Sequence, residues 1–140
     1  MGQTETGEIM RLLTAVAILV FSMGGAASAK PPLRDVSQID DALMHVAIAD
    51  AIRKSCDNIN ARLIRAYSEL NRLKSVARDM GYTEKEVERY VTSKDEKNRM
   101  KAKAEQFLQA NGVRPDDTPA LCRFGQEQIQ AQTEIGQLLR

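Results

Sequence analysis

IDDALMHVAIADAIRKSCDNINARLIRAYSELNRLKSVARDM, residues 39–80, is the stretch whose reading decides the fold. Ile39, Leu43, Val46, Ala49 or Asp50, Ile52 and Cys56 recur at three- and four-residue steps, the spacing of one face of an α-helix. From Ile59 the pattern tightens: Ile59, Leu63, Ala66, Leu70, Leu73, Ala77 and Met80 alternate steps of four and three. Three such heptads are the lower edge of a coiled-coil signal. A helix of a soluble antiparallel bundle uses the same packing and is the simpler expectation. Between the two patterns, Asp57-Asn58-Ile59-Asn60 prefers caps and turns to helix interiors. The expectation is therefore two helices meeting near Cys56, and a continuous helix through residues 50–65 would contradict it.

Working outward, Gly81 ends the second helix where a left-handed residue is wanted, with Tyr82 folding back onto Ala77. Thr83 and Glu86 form a capping box that starts a short helix, EKEVERYV. Ser93 with Glu96 repeats the device and starts another, with Met100, Ala104, Phe107 and Leu108 on its apolar face. Asn111-Gly112-Val113 stops it, Val113 covering Leu108. Thr118 is expected to cap a last helix with Pro119 in its first turn, running to Leu139. In such a helix Gly125 and Gly136 lie three turns apart and share a face open to close packing by another helix. Its outer face is rich in glutamine: Gln126, Gln128, Gln130, Gln132 and Gln137. Upstream, Ser37 with Asp40 reads as the cap of the first helix, and Pro31 and Pro32 hold residues 30–36 extended. The fold expected is all-α, a single small bundle of four to five helices over residues 37–140.

Residues 1–29 read as a secretory signal peptide. Arg11 precedes the apolar run Leu12–Met23, and Gly24–Ala29 supplies small residues ending in Ala-x-Ala. The run is too short for a bilayer core, which takes about 20 residues. Glu5 and Glu8 sit poorly in a region that should be basic, which favours Met10 over Met1 as the start of translation. The competing reading is a retained N-terminal anchor. After cleavage at Ala29, no membrane span is expected and the protein is expected to be exported, periplasmic or secreted. In an oxidising compartment two cysteines in a small domain pair, so Cys56 and Cys122 are expected to form a disulfide. Closing that loop is worth roughly 4 kcal/mol, comparable to the whole net stability of a small domain.

The chain carries no Trp and only three Tyr and three Phe, so its core must be aliphatic. With 20 basic and 19 acidic residues interspersed, it lacks the single-sign field that draws nucleic acid. Lys94, Lys97, Arg99, Lys101 and Lys103 are the densest basic stretch. They are interleaved with Asp95, Glu96 and Glu105 and carry no stacking aromatics, so they read as a solvated helix face.

Several motifs together resemble a family of small exported bacterial proteins grouped as a domain of unknown function. They are Cys56-x-x-Ile59-x-x-Arg62, Gly81-Tyr82-Thr83 with Glu86, Val87 and Tyr90, Lys97-x-Arg99, Cys122-x-x-Gly125, and the chain end Gly136-x-Leu138-Leu139-Arg140. The resemblance covers nearly all of the chain after the leader. Relatives often place proline after the first cysteine, where this chain has Asp57; either residue can start a helix, which again favours two helices at Cys56. The resemblance carries over no catalytic residue.

Nothing in the chain assembles a reaction centre. His45 is the only histidine, with Asp41 one turn away as its sole candidate partner, and it reads as a helix histidine. The acidic neighbours Asp40/Asp41, Glu84/Glu86/Glu88, Asp95/Glu96 and Asp116/Asp117 sit where helices begin and relieve the helix dipole. No metal ligand set, cofactor or catalytic residue is expected. The leading expectation is a non-enzymatic binding or structural protein of the cell envelope, whose partner is another envelope protein. Its candidate surface is the edge Arg62, Arg65 and Arg72, where Arg65 can pair with Glu69, together with Gln126, Gln130 and Gln137. A homodimer is a further arrangement allowed for. Two alternatives come from other classes: a small periplasmic stress chaperone, since acid-stress chaperones are also small helical proteins with one disulfide, and an enzyme or ligand carrier using the interhelical core.

Overall fold

The computed structural model describes residues 29–140; the leader, its cleavage motif up to Ser28 and the Met10 start lie outside them. Five helices follow in order: α1 (Ser37–Ser55), α2 (Leu63–Asp79), α3 (Glu84–Thr92), α4 (Lys94–Ala110) and α5 (Thr118–Ala131), with single 3-10 turns at Leu33–Asp35 and Gly136–Leu138. The all-α bundle expected from the sequence is present, and Cys56 is bonded to Cys122.

α1 is the central element. Met44, Ile48 and Ile52 form its buried row at four-residue steps, and they pack with Ala104 and Leu108 of α4 and with Ala120 and Phe124 of α5. A second, smaller cluster gathers Leu33, Val36, Ile39, Ala77 and Tyr82 at the other end. The local signals between helices act as their chemistry dictates. Gly81 and Gly112 hold positive φ of 87° and 77°. Thr83 and Glu86 complete a capping box, and the Ser93 side chain accepts the Glu96 N–H. Tyr82 and Val113 donate backward to the carbonyls of Ala77 and Leu108, the hydrogen bonds that close helix ends of this kind.

The helix breaks at Ser55, so the residues around Cys56 form a hinge. The disulfide, with Cα atoms 5.6 Å apart, ties that hinge to the first turn of α5. Several expectations are corrected. Residues 30–36 are not extended throughout, since Leu33–Asp35 turn as a 3-10 helix. Ile59 is not helical: it is buried in the extended link before α2, and α2 begins only at Leu63. The last helix stops at Ala131, where Gln132 turns left-handed with φ 53°. The chain then doubles back so that Asn60 and Arg140 exchange backbone hydrogen bonds of 2.8 Å and Ala61 bridges Leu139. This return leg buries Ile135, Leu138 and Leu139. Gly125 and Gly136 therefore share no helix face. A Cβ on Gly125 would lie 2.7 Å from Ile52, and one on Gly136 would lie 1.8 Å from the Gln128 carbonyl oxygen.

Two more concern caps. Asp117, not Thr118, caps α5 by accepting the Ala120 N–H at 2.9 Å, because the carboxylate one residue earlier reaches the free N–H groups. At α1 neither Ser37 nor Asp40 caps: Val36 precedes the helix without a side-chain cap, and Asp40 turns inward.

Candidate functional site

α2 presents three different faces. Ala66, Leu73 and Ala77 turn toward the core, with Leu73 and Ala77 fully buried. Arg65, Ser68, Glu69 and Arg72 form a second face at three- and four-residue steps, and it lines an open cleft of about 780 Å³. The opposite wall is α1, through Asp41 and His45, and the floor is Glu134 and Gln137 from the return leg. The third face, Leu63, Ile64 and Tyr67, points outward and is 69%, 87% and 68% exposed. Between α2 and α3, Leu43, Tyr67, Leu70, Val87 and Val91 border an apolar groove of about 270 Å³. The strict seam read from the sequence thus splits: Ala66, Leu73 and Ala77 pack into the core, while Leu63 at one end and Met80 at the other are left exposed.

The cleft is wired by polar pairs. Arg65 donates to the Gln137 side-chain carbonyl. Arg72, not Arg65, is the partner of Glu69, donating twice at 2.8 and 2.6 Å. Those bonds hold the Glu69 carboxyl below its ordinary range and raise the Arg72 guanidinium. Arg65 is drawn off because the return leg brings Gln137 within its reach. Glu134 Oε2 lies 2.7 Å from His45 Nδ1, not the Asp41 that sequence proximity suggested. The contact is out of line for a ring N–H, and that buried nitrogen has no hydrogen-bond partner among the described residues. The imidazole meets Phe107 edge-on, with ring centroids 5.9 Å apart.

Of the surface residues expected from the sequence, Arg65, Arg72 and Gln137 come together in this cleft. Arg62 sits just before α2, its side chain exposed and its N–H donated to the Leu138 carbonyl at 2.8 Å. Gln126 and Gln130 are exposed on α5 and line no part of the cleft.

A second polar centre was not expected. Asp40, only 2% exposed, accepts hydrogen bonds from the Tyr90 hydroxyl of α3 and from Arg99 and Lys103 of α4. Burial pushes its carboxyl up, but the bonds from Arg99, Lys103 and Tyr90 outweigh this and bring it down to about 2. Burial and the neighbouring carboxylate raise the Tyr90 phenol, and the bond to Asp40 raises the Arg99 guanidinium. Arg99 and Lys103 therefore do not belong to a solvated basic face; they turn inward as counter-ions, and the pair also grips Glu96 and Asp41. The signal was available. Asp40 continues the row Met44, Ile48, Ile52 at four-residue steps, and a carboxylate on a buried row needs cations. Arg99 and Lys103 are likewise one turn apart.

This clamp joins α1 to α3 and α4 through residues of the Tyr90 and Lys97-x-Arg99 motifs, while the chain end Gly136–Arg140 forms the return leg beside the hinge. Residues 31–140 match a family of unknown function, DUF5333. The chain belongs to that family. No curated protein and no solved structure matches it. The residues that carried the resemblance are mostly structural in this chain: Cys56 and Cys122 make the staple, Tyr90 and Arg99 the clamp, and Leu138 and Leu139 the buried return leg. Among the described residues no group of three or more His, Cys, Asp or Glu side chains is placed to hold a metal ion. No helix among them is long and apolar enough to cross a membrane.

Proposed function

We propose that this DUF5333 protein is an exported, non-enzymatic binding protein of the cell envelope, and that the cleft between α1, α2 and the return leg receives its partner. The carrying observation is that α2 stands off from α1 along its N-terminal half, opening about 780 Å³ between two walls that the disulfide-stapled hinge and the return leg hold apart. Arg65, Arg72, Glu69, Glu134 and Gln137 offer donors and acceptors of both signs within that space, the chemistry of a polar peptide or protein segment. Their mutual pairs are all partly exposed, so they can exchange for contacts to a partner at small cost. A photo-crosslinking residue at Ser68 in the exported protein is expected to give a discrete adduct in envelope fractions, and Arg65→Ala with Arg72→Ala is expected to remove it. An adduct pattern indistinguishable from that of a probe at Gln130 would sink the assignment.

A second reading, a periplasmic stress chaperone, is favoured by the Asp40 clamp alone. One buried carboxylate holds α3 and α4 against α1, so its protonation in strong acid would loosen both helices and expose their apolar faces. Aggregation suppression of a model client that stays flat from pH 7 to 3 and below would eliminate it.

A further inference from the structure

Leu63, Ile64, Tyr67, Leu70 and Asn71 fall within about 60° of one line along α2, given 3.6 residues per turn. That strip holds no charge until Lys74 and Arg78 at its C-terminal end, in a chain that is 28% charged. Depletion of charge together with an exposed Tyr and large aliphatics marks the centre of a protein–protein contact more than a solvated helix face. The strip is also separate from the cleft, whose residues Arg65, Ser68 and Arg72 lie on another face of the same helix.

We infer that this strip is the interface of a homodimer in which two copies of α2 pack antiparallel across a two-fold axis at Tyr67. The pattern is self-complementary only in that sense. Under an antiparallel two-fold at Tyr67, Ile64 of one copy faces Leu70 of the other, Leu63 faces Asn71, and the tyrosines meet on the axis. The same operation carries the basic Lys74–Arg78 end of each helix past Leu63, where its partner's α2 begins, so neither residue meets its own copy. A parallel pair would instead stack Lys74 and Arg78 on their own copies, like charge on like, and would set the two helix dipoles side by side in the same direction. The area is of the right order. Leu63, Ile64 and Tyr67, at their observed exposures, offer roughly 400 Å² per copy, about half of what a standard interface needs from each partner. The edge of the adjoining apolar groove, through Leu70 and Val91, adds to it.

The inference is independent of the cleft, and its test reads oligomeric state in the purified chain alone. Sedimentation equilibrium of the exported protein is expected to show twice the chain mass at micromolar concentration. Ile64→Glu, at a side chain too exposed to unfold the domain, is expected to weaken the dimer by at least tenfold with an unchanged helical signal. Under mild oxidation Tyr67→Cys is expected to form an intermolecular disulfide across the axis, whereas Gln130→Cys on α5 remains monomeric on a non-reducing gel. A monomer at all concentrations, a dimer indifferent to Ile64→Glu, or equal crosslinking at the two cysteines would each overturn it.

Discussion

Asp40→Asn removes a single charge from the best-buried charged position among the described residues and keeps its shape. The carboxyl sits at about 2 in the folded protein, against an ordinary 3.8. At about 1.4 kcal/mol per pH unit, that difference is worth roughly 2 kcal/mol of folding stability. Breaking a fully buried ion pair costs about 3–5 kcal/mol, because the remaining charge is stranded. Here the side chains of Arg99 and Lys103 are 29% and 30% exposed and can recover water. The expected loss at pH 7 is therefore about 2–3 kcal/mol, read from urea midpoints at constant slope. The pH dependence supplies an independent check. Because the folded carboxyl lies below its unfolded value, the unfolded chain binds more protons as pH falls through 3.8. The stability from Asp40 is complete above that point and is lost between about pH 4 and 2. Glu86, also held at about 2, chiefly by the Thr83 N–H and hydroxyl and by Lys30, titrates in the same window. The difference between wild type and variant isolates Asp40. A loss under about 0.5 kcal/mol at pH 7, or equally steep acid unfolding in both proteins, would refute the clamp.

Cys56→Ser with Cys122→Ser opens a loop of sequence separation 66 and is expected to cost about 4 kcal/mol by chain entropy, measured by equilibrium denaturation. Gly136→Ala must displace the Gln128 carbonyl, which a Cβ would meet at 1.8 Å. It is expected to cost about 3 kcal/mol and to speed amide exchange at Asn60, Arg62 and Arg140 as the return leg detaches. Thr83→Ala removes half of the capping box at α3 and should lower stability by about 1 kcal/mol, seen as a small downward shift in Tm.

Where a helix begins or ends depends mostly on a few adjacent residues, and those were readable. Gly81, Thr83 with Glu86, Ser93, and Asn111-Gly112 all act locally, through one φ angle or one side chain returning to its own backbone. The break at Cys56 was readable for the same reason. The end of α5 was not. Nothing between Ala131 and Gly136 forbids a helix, and Gln132 turns left-handed only because Leu138 and Leu139 gain burial against the Asn60–Arg62 backbone, some 70 positions away. The cleft depends on the same event, since Glu134 and Gln137 reach it only on the return leg.

Sequence alone therefore determined the class of fold, most of the helix ends, the hinge and the disulfide, because periodicity, caps and cysteine pairing are set by nearest neighbours or by compartment chemistry. The tertiary structure decided which charges are buried and which apolar residues are not. Asp40 reads like an N-terminal carboxylate until α4 supplies Arg99 and Lys103, and Leu63 reads like core until α2 is seen to leave α1 along half its length. Burial belongs to a pair of surfaces, and only the folded chain says which surfaces meet.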